Sequence, residues 1–377
     1  MNTLGPLNED NVLERFYAVI PAGGAGSRLW PLSRAAAPKF LHDLTGSGST
    51  LIRATWARLE PLCDGRTMVV TGRAHRRAVC GQLPELREAD LVLGPEPKDS
   101  AAAVGLAAAV LYHRDPGIIM GSFAADQVIH PVEAFQAAVR EAVHTAAQGY
   151  IVTIGITPTH PSAGFGYIRA AGALQVPGAP SACAVAQFVE KPDEETAAGY
   201  LAEGGYHWNA GMFVAPVQLL LKHLEAPEPA LHAGLMEIGA AWGTPARRSV
   251  LRRVWPGLPR TAIDYAVAEP AAAAGDVAMI PGNFGWDDVG DFAAIGRLHS
   301  AAEAGNLTVL GEGARVYSDN ASGIVVSDTK RVIALIGIDD VVVVDTPDAL
   351  LVTTKAHAQR VKSAVEHLKA SGDTDVL

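Results

Sequence analysis

The 377 residues include only three cysteines, Cys63, Cys80 and Cys183. An odd, widely spaced set fits neither a disulfide framework nor a zinc site, so reduced thiols are expected. Basic blocks are absent and the net charge is −10. This argues against a long nucleic-acid surface. An anionic substrate must be met by local cations and a metal, not by the field of the whole protein. No apolar run approaches the roughly 20 residues that cross a bilayer. The opening MNTLGPLNED lacks the charged-then-apolar pattern of a secretory signal. A soluble, cytoplasmic chain with no membrane or nucleic-acid partner is therefore expected. What is plentiful is apolar: 49% of residues are hydrophobic and 19% charged. That is enough for one large core plus a smaller one.

Apolar runs alternate with alanine-rich stretches through the first three hundred residues. RTMVVTG (66–72), LVLGP (91–95), GIIMGSFAAD (117–126) and IVTIGI (151–156) read as strands. Residues 74–83, 100–114 and 131–148 read as helices between them. Such alternation predicts a parallel sheet covered on both faces, with ligands at the carboxyl ends of its strands. Residues 157–215 turn glycine-rich and aromatic, which predicts an antiparallel excursion or lid. From about residue 306 short β-rich runs are broken by Asp, Asn and Gly, and residues 355–371 close as an amphipathic helix. The expected domains are 1–305 and 306–377. The β runs are too short to define an internal repeat.

One segment dominates the chemistry. After the strand FYAVI (16–20) comes PAGGAGSRLWPLSRAAAPKF (21–40). Gly23, Gly24 and Gly26 permit a tight turn with close backbone approach to a ligand. Arg28 and Lys39 flank it with positive charge, which describes a phosphate-holding turn. It is neither the dinucleotide fingerprint nor a Walker loop, because the third glycine of the first and the Gly-Lys-Ser/Thr of the second are missing. Asp126, at the tip of a strand facing that turn, suits Mg²⁺, a hard cation that prefers carboxylate and phosphate oxygens. The structural alternative for Asp126 is an N-cap of the helix from Pro131. No serine or cysteine has an evident His/Asp partner, so covalent catalysis is not indicated.

Residues 21–40 resemble the GGxGxRLxPLTxxxPK signature of sugar nucleotidyltransferases, and RLWPLSR looks most like the mannose-1-phosphate guanylyltransferase branch. The likeness spans nearly the whole chain, including the run IGIDDVVVVDTPDALLVTTKAHAQRVKSAVEHL. It implies a Rossmann-like, mostly parallel sheet with helices on both faces, a small β-rich C-terminal domain and a homo-oligomer, a dimer. Ala22, Gly23, Gly24 and Gly26 would wrap the nucleotide triphosphate, while Arg28 and Lys39 neutralise charge at the phosphorus under attack. NFGWDDVGDF (283–292) matches the family's W-x-D-V-G, which assigns Asp288 to the metal together with Asp126. Asp287 and Asp291 read as solvated. Gln127 stands where the family commonly has histidine.

The same resemblance assigns FVEKP, HWNAGMF, GFGYI and IDYAVAE to the sugar phosphate. Glu190 would accept sugar hydroxyls and Lys191 grip the phosphate. Asn209 would bond the hexose, Gly211 and Gly166 would let backbone approach, and Asp264 would order the site. Lys98, Asp99 and Ser100 occupy the family's RNT positions beside the base; Ser100 also reads as a helix N-cap. Asp99 for asparagine could accept the N1 and N2 donors of guanine, and equally could select another base. The implied reaction is GTP plus mannose 1-phosphate giving GDP-mannose and pyrophosphate. A change of nucleotide or hexose, and a non-catalytic sugar-nucleotide-binding paralogue, stand as alternatives.

Overall fold

The computed structural model describes residues 9–24, 26–299 and 307–377. The expected domain boundary at 305/306 lies outside the described residues. Nine strands of the first part form one sheet. They are β1 (Phe16–Ala22), β2 (Thr67–Gly72), β3 (Leu91–Gly94), β4 (Ile119–Ser122), β6 (Ile151–Ile156), β7 (Tyr167–Ala173), β8 (Cys183–Val189), β9 (Tyr206–Pro216) and β10 (Val277–Gly282). Their order is β3-β2-β1-β4-β9-β6-β10-β8-β7. Strands β1 to β4 pair in parallel, as do β6 and β10. The long strand β9 runs antiparallel between β4 and β6. The sheet is thus mixed where a mostly parallel one was expected. Of the antiparallel excursion or lid expected over 157–215, the antiparallel pairing is present, but β7, β8 and β9 belong to the main sheet and form no lid, because their apolar residues extend its core.

Alternation along β1 sorts side chains to two faces. Phe16, Ala18, Ile20 and Ala22 pack on one side with the helices Leu51–Cys63 and Val132–Ala146. Tyr17 and Val19 pack on the other with Ser100–Arg114 and Pro229–Ala241. Both layers bury the sheet, so functional groups collect at its rim. Two short strands, β5 (Val128–His130) and β11 (Gly285–Asp287), form an antiparallel ribbon at that rim.

The C-terminal part coils. Strands β12 (Leu307–Leu310), β14 (Gly323–Ser327) and β16 (Val341–Asp345) stack in parallel, and β17 (Leu350–Thr354) closes the stack antiparallel. The intervening β13 (Arg315–Asp319) and β15 (Val332–Ile336) pair in parallel as a second wall. The chain alternates between the walls, so the repeat that was too short to define is a β-helix with a coil of about 17 residues. The run Val341–Val344 is apolar throughout because both its faces are covered. Val341 and Val343 face Leu335 inside the coil, whereas Val342 and Val344 face the first part of the chain beside Leu29 and Val289. The closing helix is shorter than expected: Lys355–Arg360 is 3₁₀ and only Val361–Ser371 is α. Among the described residues no helix is long and apolar enough to cross a membrane.

Gly323 sits at φ +137°, where a Cβ would lie 1.9 Å from the Val341 carbonyl oxygen of the next coil. Gly323→Ala should therefore cost on the order of 3 kcal/mol or more, through backbone displacement and left-handed strain. Thermal unfolding and limited proteolysis of the C-terminal part check this; a melting temperature equal to the parent's would contradict it.

Candidate active site

The β5–β11 ribbon explains how two distant acids meet. Asp287 pairs with Val128, Trp286 with Ile129 and Gly285 with His130. Asp126 stands two residues before one strand of the ribbon and Asp288 one residue after the other. Lys39 joins them. Its Nζ lies 2.7 Å from Asp126 Oδ2 and donates to the Asp288 carbonyl oxygen at 2.5 Å. These two oxygens therefore lie within roughly 5 Å of each other. Asp126 is no helix cap: Pro131 holds that position for Val132–Ala146.

Burial pushes the Asp288 carboxyl above the usual aspartate range; Lys39 works against the shift, and Asp287, Asp126 and Asp291 add to it. The loop around it is strained, since the next residue, fully buried Val289, has φ +47°. A β-branched residue in that region persists only where its surroundings over-determine it. The neighbouring acids are not solvated, contrary to expectation. Asp287 accepts from the Val289 amide and pairs with Arg297 at 3.2 Å. Asp291 is buried, accepts from the Ala294 amide at 2.9 Å and also bonds Gln359. Both carboxylates hold the loop, and among the described residues the Asp288 carboxylate makes no hydrogen bond or ion pair.

The phosphate turn faces the same rim. Gly24 (φ +86°) and Gly26 (φ +60°) bend it. Among the described residues nothing outside the chain neighbours lies within 4 Å of a Cβ built on Gly23 or Gly24, which leaves room for a ligand. At Gly26 the reason is packing, because a Cβ would lie 2.8 Å from Ser33 Oγ. Thr71 Oγ1 donates to the Ala22 carbonyl at 2.7 Å and fixes the strand end. Arg28 is exposed, and among the described residues its guanidinium makes no hydrogen bond or ion pair. It is a free cation beside an open turn.

Glu190, Lys191, Asn209, Gly166 and Asp264 also converge. Asn209 Nδ2 donates to Asp264 Oδ1 at 2.8 Å, and the Asn209 amide donates to the Gly166 carbonyl at 2.8 Å. Thr153 Oγ1 and the Gly211 amide both donate to Asn209 Oδ1 at 3.1 Å. A Cβ on Gly166 would meet Glu190 Oε2 at 2.4 Å. That oxygen is buried without a partner among the described residues, while Oε1 bonds Lys191. A buried lone acceptor of this kind wants a donor, such as a ligand hydroxyl. Asp264 opens a π-helical turn, a device common at functional sites. Its carboxyl is pushed up to about 6, mainly by burial and further by Glu190, against the hydrogen bond from Asn209. Gly211 (φ +67°) has open space above it. Phe165 lies edge-on to Trp208 and Trp286, 5.1 Å between centroids in each case. It joins three of the sequence motifs and needs no hydroxyl to do so.

The base-side segment is more occupied than expected. Lys98 Nζ spends its donors on the carbonyls of Pro256 and Leu258, at 3.1 and 2.8 Å, and on Glu96. Ser100 is the first residue of its helix, not the cap; its Oγ accepts from the Ile263 amide at 2.9 Å, tying this segment to Asp264. Asp99 is the cap position, yet its exposed carboxylate makes no hydrogen bond among the described residues. A separate cleft of about 720 Å³ beside β3 is lined by Arg73, Arg76, Arg247, Arg248 and Arg252 with Glu88. It holds no carboxylate pair and none of the residues above.

Residues 17–305 match the family model "Nucleotidyl transferase", and residues 314–368 match "MannoseP isomerase/GMP-like beta-helix domain". The chain belongs to the nucleotidyl transferase family, in its mannose-1-phosphate guanylyltransferase branch. Mannose-1-phosphate guanylyltransferase ManC of Salmonella typhimurium is 36% identical over 95% of this chain and 74% of its own. Xanthan biosynthesis protein XanB of Xanthomonas campestris is 35% identical with the same coverage. A solved Thermus thermophilus structure, described as a mannose-1-phosphate geranyltransferase, superposes with a TM-score of 0.82 at 31% identity, over 94% of this chain and 99% of that one.

Sequence reasoning about this nucleotidyl transferase missed Arg58, Thr153 and Glu269. Arg58 is buried on the helix Leu51–Cys63, donates to Thr55 Oγ1 and the Gln127 carbonyl, and is held down to about 10 by burial, with Asp126 opposing. Helical spacing from Leu51, Thr55 and Leu62 places it on the apolar face, which was the available signal. Glu269 accepts from the Glu190 amide at 3.3 Å.

The shift at Asp264 makes a signed expectation. Its folded value lies above the ordinary aspartate value of about 3.9. Its stabilising contribution is therefore complete below about pH 4 and is lost as pH rises through about 6. Asp264→Asn keeps an acceptor for Asn209 and cannot ionise. The melting temperature of the variant minus that of the parent should grow between pH 4 and pH 7; a flat or falling difference in thermal scans contradicts the assignment.

Proposed function

We propose that this chain transfers GMP from GTP to mannose 1-phosphate, giving GDP-mannose and pyrophosphate. The observation that carries the reading is the meeting of Asp126 and Asp288 at Lys39 beside an open glycine turn and a free Arg28. Relatives bearing the guanylyltransferase name support the choice of substrates. In the proposed reaction the sugar phosphate oxygen attacks the α-phosphorus in line. A new P–O bond forms, the α–β anhydride breaks and pyrophosphate carries away the electron pair. The attacking oxygen is already anionic, so no general base is needed. The difficulty is to hold two anions together and to stabilise charge as it develops.

Each residue then has work to do. Backbone N–H groups of the turn around Gly23, Gly24 and Gly26, with Ala22 at its base, receive the triphosphate. Arg28 and Lys39 neutralise it. Glu190 and Asn209 hold the hexose, Lys191 the sugar phosphate, and Gly166 and Gly211 leave room for it. Asp264 sets the orientation of Asn209. Asp99 and Ser100 face the base, and Lys98 fixes their segment. Asp126 and Asp288 suit Mg²⁺: both offer hard oxygens, and Asp288 is a half-buried carboxylate that gains from a divalent neighbour. When bound, the ion neutralises phosphate charge.

The second reading keeps the chemistry and changes the base. Asp99 favours it, as an uncommitted carboxylate where the branch has asparagine. A dimer in the cytoplasm is proposed on family likeness. The exposed Tyr317, Val332 and Ile336 on the β13–β15 wall offer it an apolar face.

Pyrophosphate release measured across GTP, UTP, dTTP and ATP with several hexose 1-phosphates decides between the readings; a clear preference for GTP with mannose 1-phosphate is expected. Arg28→Ala should cut turnover by on the order of a hundredfold, and near-normal turnover would count against the site. Mg²⁺ should raise the melting temperature of the parent and leave that of an Asp126→Asn, Asp288→Asn variant unmoved.

A further inference from the structure

Arg28 and Asp288 come from segments far apart in sequence, yet each is followed directly by a side chain buried in the same apolar cluster. Leu29 (1% exposed) and Val289 (0%) pack with Ile324, Val326, Val342, Val344 and Ala358 of the C-terminal part. Further contacts come from the same side. Trp30 Nε1 donates to the Val376 carbonyl at 2.7 Å, and its ring packs against Val361 and Val365. Arg34 forms two 2.6 Å bonds to the Asp348 carboxylate and a third to Thr346 Oγ1 at 3.1 Å. Asp291, which caps the helix after the acid loop, is held by Gln359. The phosphate turn and the acid loop thus touch the catalytic sheet on one side and one common β-helix on the other.

We infer that the C-terminal β-helix is a positioning element of the transfer site, setting where the Arg28 turn and the Asp288 loop stand relative to each other through Trp30, Arg34 and the Leu29–Val289 cluster. What the positions are used for rests on the function proposed above. The division of labour follows from burial. An exposed ion pair contributes little by itself, so Arg34–Asp348 fixes register. The apolar cluster and the buried indole supply the rigidity that a catalytic constellation needs. Arg34 holds the Asp348 carboxyl down to about 2, so the pair is charged near neutral pH.

The test uses the full chain. Arg34→Asp should lower turnover at saturating GTP and mannose 1-phosphate by about tenfold or more, as for a small misplacement of reacting groups. Michaelis constants should change much less, and adding Asp348→Arg should restore most of the loss. Trp30→Phe, which keeps a ring and removes the N–H, should show the same split. Hydrogen exchange should quicken in the turn (23–24 and 26–29) and in the loop 286–291 in Arg34→Asp while β14 and β16 stay protected. A lower melting temperature with unchanged turnover and unchanged exchange in those two segments overturns the inference, because the interface would then serve stability alone. Should the parent transfer no nucleotide to any sugar phosphate, the functional reading fails, and the exchange comparison alone decides positioning.

Discussion

Everything at the rim depends on three pairs of residues in a short antiparallel ribbon. Val128–His130 and Gly285–Asp287 zip the segment leaving Asp126 to the segment entering Asp288. Without that ladder the two carboxylates would belong to different crossovers of the sheet, and Lys39 would have one partner instead of two. The ribbon converts a sequence separation into a local charge arrangement: one ammonium between a carboxylate and a carbonyl, with a second, half-buried carboxyl beside it. Arg58, pressed against the back of the same segment, adds a fixed positive charge in a place where solvent cannot screen it.

The sugar side works by a different constraint. Here a small group of polar side chains is packed so closely that each fixes its neighbour. Asn209 is bonded at its side-chain oxygen, side-chain nitrogen and backbone amide, so its orientation is determined before any ligand arrives. Glu190 is aimed by Lys191 and by the missing side chain at Gly166. Burial is the main origin of the upward shift at Asp264, and the nearby Glu190 carboxylate adds to it. The cost is local, and the reward is a preorganised surface.

Much of this was legible in the chain. Residues 21–40 announce a phosphate turn by glycine and cation alone, and the helix at 100–114 appears with its expected bounds. Three things were hidden. The antiparallel character of 157–215 was readable, but not that β9 lies in the main sheet between β4 and β6, because a strand buried on both faces has the same pattern at the edge or in the middle. The coil of the C-terminal part was obscured because its repeat unit alternates between two walls, so like residues recur only every second strand. Lys98 and Ser100 sat in the right motif, yet what their polar atoms bond depends on the loop at 255–263, which no local pattern encodes. Asp287 and Asp291 looked solvated since acidic turns usually are; their partners, Arg297 and Gln359, come from elsewhere in the fold.

The stacked strands also act as a ruler. Each coil advances the chain by one interstrand spacing, about 4.8 Å. Asp348 follows the third parallel strand of the stack, and Val376 lies beyond it. Losing or duplicating one full turn would leave the stack itself well paired, yet it would carry the Asp348 carboxylate and the Val376 carbonyl a full rung away from Arg34 and Trp30. The number of rungs is therefore fixed by contacts made with Arg34 and Trp30 of the first part of the chain, and homologues that vary in this region should do so in the loops between rungs.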